Sequence, residues 1–447
     1  MSASSNLIWN MDGHLRMLRS SRADSWRLAD FYSRIFTKTD GSPSGEFFPF
    51  VEDLLNGRHP TFHEDDFIYV EDEESGKIVS AMNLISQVWT YGGIPIPCGR
   101  PEDVATDPAY RNRGLVRAMF EQVHNWSSQR SELLQGITGI PFYYRLYGYE
   151  MCVQLEGGWR GTPDSLPKVK QSQQEAYQIR PVMSKDIPFL TDLYQKSCER
   201  LLMACPRPAE MWQMNLFTRS TDTEDYEIAK VIESPAHEPL GFFVHHSSLG
   251  PDYIDENMLG CSWYALKKGV SYLDATPVVL DHLLKTGQKY ASDKGKTCSG
   301  VGMILDNGHP ANEILGEFLP RKVRDYAWYM RVPDLPAFLT KVAPVLEQRL
   351  EDSCCSGHTG DLAISFYQSK LNLSFSRGKL TKAEQKPFTG DADSQACFPG
   401  LTFYHLLFGY RTVSEIRNLF ADCLVDADVK PVLDALFPRC PSNIWAL

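Results

Sequence analysis

The residues best suited to chemistry lie in the stretch 104–117, which reads VATDPAYRNRGLVR. Its pattern predicts a short strand that ends before a proline, then an arginine-rich turn, then the start of a helix. Backbone N–H groups at such a start form a cradle for an anion, and the helix dipole adds positive charge. Gly114 would let a phosphate approach closely, and Arg111, Arg113 and Arg117 supply further charge. The stretch contains neither GxGxxG nor GK[ST], and taken alone it equally fits a solvated basic turn.

Other polar clusters give weaker indications of a site. His59 and His63 have the i, i+4 spacing of metal ligands on a helix, but Pro60 between them argues against a helix. We therefore expect no metal site. Acidic runs at 65–66 and 71–74 are typical of a solvated face, and the alternative is that they line the mouth of a site for a cationic substrate.

The elements that must position the basic turn form a first segment, from about residue 15 to about residue 160. The pattern predicts an amphipathic helix, two strands joined by an acidic hairpin turn, a short strand, a helix and a final strand. These are residues 24–36, 67–71, 78–91, 103–106, 117–126 and 134–140.

Two further segments follow. The polar stretch 161–175 is interpreted as a linker, after which 177–181 and 184–198 repeat the opening pattern of the first segment and indicate a duplicated unit. The third segment is predicted to hold an amphipathic helix, two strands with one buried face, a polar loop and a helix opened by a capping box. These are residues 335–350, 361–367, 371–380, 383–396 and 412–415.

Composition limits the class of protein. The chain has 447 residues, of which 43% are hydrophobic, so it can bury several cores and is not disordered. A net charge of −11 argues against nucleic-acid binding. We find no run of 18 apolar residues and no secretory signal, so neither membrane association nor export is expected. Eleven scattered cysteines without a CxxC motif favour reduced thiols and a cytoplasmic location.

Two motifs resemble those of the GNAT acyltransferases. Arg111-x-x-Gly114-x-Val116 is similar to the loop that binds the acetyl-CoA pyrophosphate in that family, although Val116 stands where a small residue is usual. After the next helix, residues 139–149 (GIPFYYRLYGY) resemble the element that follows the fifth GNAT strand. The order of segments and the RNRGLV loop further resemble the Eis (enhanced intracellular survival) acetyltransferases. That likeness covers nearly the whole chain, is specific over 100–150, and is mainly architectural from 177 to 435.

The resemblance implies an α+β fold of three domains. Residues 1–162 would be a catalytic GNAT domain, 163–331 a degenerate GNAT-like domain, and 332–447 a domain like sterol carrier protein. Because 271–280 lacks the arginine and glycine of the basic turn, the second domain is expected to bind no CoA. The family also implies a possible homo-oligomer.

The resemblance further implies that an amine of a cationic small molecule, or a lysine, attacks the thioester of acetyl-CoA, the co-substrate, directly. Tyr144 would be the general acid, with Tyr143 as the alternative; a phenol can donate a proton to the departing thiolate. The main-chain carboxylate of Leu447 would be the base. Acyl-CoA chemistry on another acceptor and a non-catalytic ligand-binding protein are the alternatives. The cofactor-binding residues would be Val104, Ala105, Thr106, Arg111, Asn112, Arg113, Gly114, Leu115, Val116, Arg117 and Thr138.

Overall fold

A computed structural model describes residues 6–11, 13–38, 41–223, 226–250, 257–388 and 394–445. Leu447, the predicted base, lies outside these residues. The described residues form an α+β fold built on three sheets, each of which mixes parallel with antiparallel pairs. The predicted fold class is confirmed at this level. No helix among the described residues is both long and apolar enough to cross a membrane.

The first segment supplies most of the first sheet and three helices. Its strands are β1 (Leu7–Asn10), β2 (Leu15–Arg19), β3 (Phe67–Asp72), β4 (Lys77–Tyr91), β5 (Ile94–Thr106), β6 (Leu134–Ile137) and β7 (Glu150–Leu155). Its helices are α1 (Ser25–Ile35), α2 (Phe47–Leu55) and α3 (Leu115–Gln129). The helices predicted at 24–36 and 117–126 and the strands at 67–71, 78–91 and 134–140 are therefore present. The strand predicted at 103–106 is the end of the much longer β5.

A second sheet occupies the middle of the chain. The strands from here to the third segment are β8 (Gly158–Gly161), β9 (Gln178–Pro181), β10 (Met203–Ala204), β11 (Glu227–Glu233), β12 (Pro239–His246), β13 (Met258–Leu266), β14 (Gly300–Met303), β15 (Arg321–Val323) and β16 (Tyr326–Arg331). The helices are α4 (Gln171–Ala176), α5 (Ile187–Cys198), α6 (Ala209–Gln213), α7 (Tyr272–Asp293) and α8 (Asn312–Phe318). The stretch predicted as a linker thus contains a short helix, α4.

The two sheets exchange strands. The order of the first is β1-β2-β3-β4-β5-β6-β16-β7, with β10 paired to β4, and that of the second is β15-β8-β14-β13-β12-β11-β9. Strand β16, near the end of the second segment, therefore lies between β6 and β7 of the first sheet. Strand β8 belongs to the second sheet although it precedes the predicted boundary at 162. The predicted boundary at 162 directly follows β8, a strand of the second sheet. The predicted boundary at 331 falls at the end of β16, a strand of the first sheet.

The third segment forms a sheet in the order β19-β18-β17-β20-β21 with helices against it. Its strands are β17 (Gly360–Ser365), β18 (Ser369–Ser376), β19 (Lys379–Pro387), β20 (Ala396–Cys397) and β21 (Leu424–Val425). Its helices are α9 (Leu335–Lys341), α10 (Ala343–Glu351), α11 (Phe403–Leu407), α12 (Val413–Leu419) and α13 (Lys430–Leu436). The predicted capping box at Thr412 and Glu415 is present at the start of α12.

Three predictions in this segment are wrong in detail. The single strand at 371–380 is a hairpin, because Arg377 and Gly378 both adopt positive φ (51° and 79°) and reverse the chain. The first part of the loop predicted at 383–396, up to Pro387, belongs to strand β19, whose polar side chains lie on an exposed sheet edge and give no apolar signal; residues 389–393 lie outside the described part of the chain. The helix at 335–350 breaks at Val342, because Pro344 has no N–H to donate to the carbonyl four residues earlier and its ring crowds that turn.

Candidate active site

Two neighbouring strands of the first sheet separate at the site. Strands β5 and β6 run parallel, but they pair only at Cys98 with Leu134 and at Gly99 with Gln135. From Arg100 onward, β5 keeps its antiparallel partner β4 on one side, and no strand among the described residues pairs with its other side. That edge carries backbone N–H and C=O groups, so an extended ligand can join the sheet there as an additional strand.

A bulge shapes β5 where it borders this gap. The register between β4 and β5 shifts between the pairs Ala81–Ala105 and Asn83–Glu102, so an additional residue enters β5. Asp103 sits in this bulge with a φ of 54° and accepts a hydrogen bond from the Asn83 side chain (2.7 Å). The bulge turns the carboxylates of Glu102 and Asp103 to the wall of a cavity described below.

The predicted strand residues continue β5 beyond the bulge. Val104 packs against the core under α3, whereas Ala105 is buried in the core under α1 and α2, as alternation along a strand requires. The hydroxyl of Thr106 lies 2.8 Å from that of Ser80 on β4. The side chains thus hold β5 in place, and its backbone edge is the part that faces the gap.

The basic turn leads directly from β5 into α3. Gly114 is the N-cap of α3 with a left-handed φ of 76°, and Asn112 also has a positive φ (63°). No side chain caps this helix start within the described residues, so its first N–H groups point outward. Leu115 is buried and anchors the helix, and Val116 is partly buried. Leu115 belongs to the core under α3, and Val116 packs against the same core.

The three arginines of the turn, Arg111, Arg113 and Arg117, are exposed. A Cβ built on Gly114 would meet no atom within 4 Å, which leaves the space above the turn open. Five of the predicted cofactor-binding residues, Arg111, Asn112, Arg113, Gly114 and Arg117, are exposed and form the surface of the turn. Leu115 anchors this surface from below. This surface has the positive charge and the N–H donors that a pyrophosphate requires.

The two candidate tyrosines differ in their surroundings. Tyr144 is buried, and its ring packs edge-on against Tyr329 and Phe120. Its hydroxyl lies 3.8 Å from where a Cβ on Gly139 would stand, at the end of β6 beside the gap. By contrast, the hydroxyl of Tyr143 accepts a hydrogen bond from that of Tyr147 (3.2 Å). Of the two phenols, that of Tyr144 faces the separated strands.

The environment of Tyr144 keeps its phenol protonated. Burial raises the pKa of Tyr144 well above its ordinary value of about 10, and the nearby carboxylates of Glu102 and Asp103 raise it further. The side chain is therefore a neutral O–H donor throughout the physiological pH range. A neutral donor beside the gap can form a hydrogen bond with a group that becomes negative during a reaction.

A cavity of about 320 Å³ opens from the gap and lies where all three segments meet. Thr138, at the end of β6, lines it, as do Arg100, Glu102 and Asp103 of β5. Its charge is acidic, with six carboxylates against the guanidinium groups of Arg100 and Arg219. These carboxylates belong to Asp53, Glu102, Asp103, Glu156, Glu227 and Asp306.

The last described residues of the chain enter this cavity. Residues 442–445 line it, and Asn443 forms a parallel bridge with Ala204 of β10. The indole of Trp445 stacks on that of Trp263 at 5.4 Å, and its N–H donates to Glu227 (2.8 Å). Arg207 lies over the same indole at 3.4 Å and donates to the Trp445 carbonyl oxygen (3.1 Å). The tail is thus held by a ring stack, two hydrogen bonds and a sheet-like bridge.

Helix α7 of the second segment starts differently from α3, because a side chain caps its first N–H groups. Helix α7 begins after Ser271, whose hydroxyl accepts a hydrogen bond from the N–H of Asp274 (3.2 Å). The N–H of Asp274 is therefore already bonded to a side chain, unlike the uncapped start of α3. Among the described residues, no three potential metal-ligating side chains lie together. His59 lines the cavity, and burial lowers its pKa to about 4.

Several site residues could not be identified from the sequence. Tyr326 of β16 donates a hydrogen bond to the Gly139 carbonyl (2.7 Å), and Glu156 directly follows β7. Both reach the site only because β16 inserts between β6 and β7. In the sequence, the two glycines after Glu156 indicate a backbone turn, but they do not show which strand follows it or where the Glu156 side chain lies.

Comparison with known proteins supports part of the resemblance. Residues 18–152 match the family model described as an acetyltransferase (GNAT) domain. No curated protein sequence matches the chain significantly. This match supports the resemblance to the GNAT acyltransferases within the first segment, and a GNAT fold suggests acyl transfer from an acyl-CoA.

Solved structures resemble the chain over almost its whole length. A GCN5-related N-acetyltransferase from Kribbella flavida has a TM-score of 0.63 at 16% identity and covers 99% of both chains. A protein from Enterococcus faecalis V583, described as a probable N-acyltransferase, has a TM-score of 0.68 at 15% identity over 97% of this chain and 99% of its own. Eis1 from Mycobacterium abscessus has a TM-score of 0.59 at 13% identity over 95% of this chain and 97% of its own. At these identities the likeness concerns the fold alone.

Proposed function

We propose that this protein transfers an acetyl group from acetyl-CoA to a primary amine of a cationic small molecule or of a lysine. The observation that carries the proposal is that the basic turn, the open edge of β5, the Tyr144 phenol and an acidic cavity meet at one gap in the sheet. The basic turn would bind the pyrophosphate, and the pantetheine arm would pair with β5 at residues 104–106.

The arrangement would bring the thioester to the mouth of the cavity. A pantetheine arm that follows the edge of β5 from the basic turn leads towards the bulge at Asp103, beside Thr138. Holding both reactants at that point turns a reaction between two molecules into one within a complex. The thiolate would leave beside Tyr144, whose phenol would stabilise it and then give it a proton.

The acidic cavity is the reason to propose a cationic acceptor. Six carboxylates face two guanidinium groups on its wall, and charge complementarity favours an ammonium in such a space. The ammonium group of the acceptor must lose a proton before its nitrogen can attack the thioester, and a nearby carboxylate would accept that proton. By the family resemblance this would be the terminal carboxylate of Leu447, which the entry of residues 442–445 into the cavity supports, and the carboxylates of the wall are the alternatives.

We also propose the three-part organisation predicted from the sequence, with Eis-like order and a third part like sterol carrier protein. In this proposal the second and third parts act as walls of the acceptor cavity. The contributions of residues 214–306 and 442–445 to the cavity lining support this role.

The test compares two tyrosine variants with the parent protein. Release of CoA from acetyl-CoA is followed with spermidine and with a lysine-containing peptide as acceptors. We expect Tyr144→Phe to reduce kcat by roughly 10²-fold or more while acetyl-CoA binds as before. Tyr143→Phe is the matched control and should retain most of the activity, because the Tyr143 hydroxyl is bonded to Tyr147. A parent protein that binds acetyl-CoA but acetylates neither amine contradicts the proposed function.

A further inference from the structure

Glu156 occupies an unusual backbone position on the wall of the cavity. It directly follows β7 and has a left-handed φ of 59°, which a side chain other than glycine rarely adopts. Gly157 and Gly158 follow, also with positive φ, and a Cβ on Gly158 would lie 2.0 Å from the Met303 carbonyl oxygen. This tight crossing into the second sheet holds the strained residue and directs its carboxylate to the cavity.

The same crossing places Glu156 near the reacting groups. Leu155, at the end of β7, pairs with Tyr326 of β16. The Tyr326 hydroxyl donates to the Gly139 carbonyl (2.7 Å), and Gly139 borders the Tyr144 hydroxyl. Burial raises the pKa of Tyr326, and the charges of Tyr329 and Glu156 raise it further, so the Glu156 carboxylate acts on this hydroxyl. Glu156 and Tyr144 therefore lie at the same end of the sheet, where β5 and β6 separate.

The other five carboxylates of the cavity already have partners. Asp306 forms two hydrogen bonds of 2.5 Å with Arg200, and Glu102 accepts one of 2.6 Å from Arg100. The remaining three accept hydrogen bonds of 2.7 to 2.9 Å from neighbouring N–H groups. These three are Asp53, bonded to the Ser220 backbone, Asp103, bonded to Asn83, and Glu227, bonded to Trp445.

Glu156 differs from all of them. Within the described part of the chain, the structure shows neither a hydrogen bond nor an ion pair to its carboxylate. Burial raises the pKa of Glu156 to about 7, and the nearby charge of Arg160 lowers it only in part. A carboxylate with this pKa is a much stronger base than an ordinary α-carboxylate, whose pKa is about 3.5. A base is most effective when its pKa lies close to the working pH.

We infer that Glu156 accepts the proton of the acceptor's ammonium group. The inference rests on the proposed function and assigns to a side chain the step that the family resemblance gives to Leu447. Glu156 takes one proton from R–NH₃⁺, and the freed nitrogen forms a bond to the thioester carbonyl carbon. The C–S bond breaks with its electron pair on sulfur, which takes the Tyr144 proton. The second proton lost by the nitrogen restores the phenol through solvent, and Glu156 releases its proton to solvent.

The test is the pH dependence of kcat/KM with acetyl-CoA and spermidine, for the parent, Glu156→Gln and Glu175→Gln. Glu175 is exposed on α4 and serves as the matched control. We expect the parent's kcat/KM to rise with pH through a limb near pH 7. Glu156→Gln should lose this limb and show kcat lowered by roughly 10²-fold at pH 8. Glutamine keeps the shape of the side chain, and unchanged melting temperature and acetyl-CoA affinity would show that the fold is intact.

Four outcomes would overturn the inference. A parent without the limb near pH 7 refutes it without any variant. If Glu156→Gln keeps both the limb and the parent kcat, Glu156 accepts no proton. If the limb is then lost only in a variant with residues added after Leu447, the terminal carboxylate accepts the proton instead. A raised KM with unchanged kcat would make Glu156 a binding group only. A parent that acetylates no amine removes the proposed function itself, and the inference with it.

Discussion

We expect replacement of Gly114 by alanine to have two effects, one on the stability of the fold and one on the binding of acetyl-CoA. The first is conformational, because Gly114 has a φ of 76°, a left-handed region that costs an alanine about 1–2 kcal/mol. The second concerns the space for the ligand. A Cβ at this position would meet no protein atom within 4 Å, so it would project into the open cradle where the pyrophosphate is expected.

Gly295 offers a control in which only the first effect is expected. It follows α7 with a φ of 63°, and a Cβ there would also meet no atom within 4 Å. We therefore expect Gly295→Ala and Gly114→Ala to lower the free energy of unfolding by a similar amount, about 1–2 kcal/mol each. Gly295 belongs neither to the basic turn nor to the lining of the cavity, so its substitution should leave cofactor affinity unchanged.

The effect on acetyl-CoA affinity should distinguish the two variants. Hydrogen bonds from N–H groups to a charged phosphate contribute about 1.5–3 kcal/mol each. Loss of one such bond raises Kd by roughly 10- to 150-fold, since 1.4 kcal/mol corresponds to a factor of ten. Isothermal titration with acetyl-CoA and with free CoA should show this increase for Gly114→Ala alone. Equal affinities in the two alanine variants would refute the assignment of the pyrophosphate to this turn.

Two further predictions concern the tail and the response to acid. Trp445→Ala should lower the free energy of unfolding by about 2 kcal/mol, because it removes a half-buried ring from its stack on Trp263. Trp445→Phe should cost much less, and denaturant unfolding with hydrogen exchange at 440–445 checks both. Equal losses in the two variants would contradict the role of the ring stack. Burial lowers the pKa of His309 to about 4, whereas in the unfolded state it is about 6.5. As the pH falls, the unfolded state therefore binds this proton before the folded state does. The free energy of unfolding should fall between about pH 6.5 and pH 4, by of the order of 3 kcal/mol from this residue. His309→Gln should show a shallower loss over that range in urea unfolding, and an unchanged slope would contradict the prediction.

The basic turn could be predicted from the sequence because its structure is local. The positive φ of Gly114, the helix start and the neighbouring arginines all depend on a few consecutive residues. The same holds for the capping box at Thr412. Such features depend on turn chemistry and helix capping, which a short stretch of sequence specifies.

The acceptor side of the site could not be predicted because it is assembled from distant parts of the chain. Glu156 reads in the sequence as one of many acidic residues near glycines, and its position depends on the insertion of β16 between β6 and β7. The hairpin β18–β19 was missed for a different reason. Its outer strand lies at a sheet edge, where polar side chains replace the apolar alternation that identifies a strand.

The strand exchange between the first two sheets has a consequence for the order in which the site forms during synthesis. The hydrogen bond from Tyr326 to Gly139 joins residues 187 positions apart. Strand β6, which leads to Gly139, therefore cannot pair with β16 until most of the chain has left the ribosome. The residues that hold the tail, such as Trp263, also emerge long before Trp445. Contacts of such long separation form slowly, and until then β6 and β7 are left with unpaired edges. A nascent chain that ends before β16 is therefore expected to require protection from aggregation and to have no transferase activity.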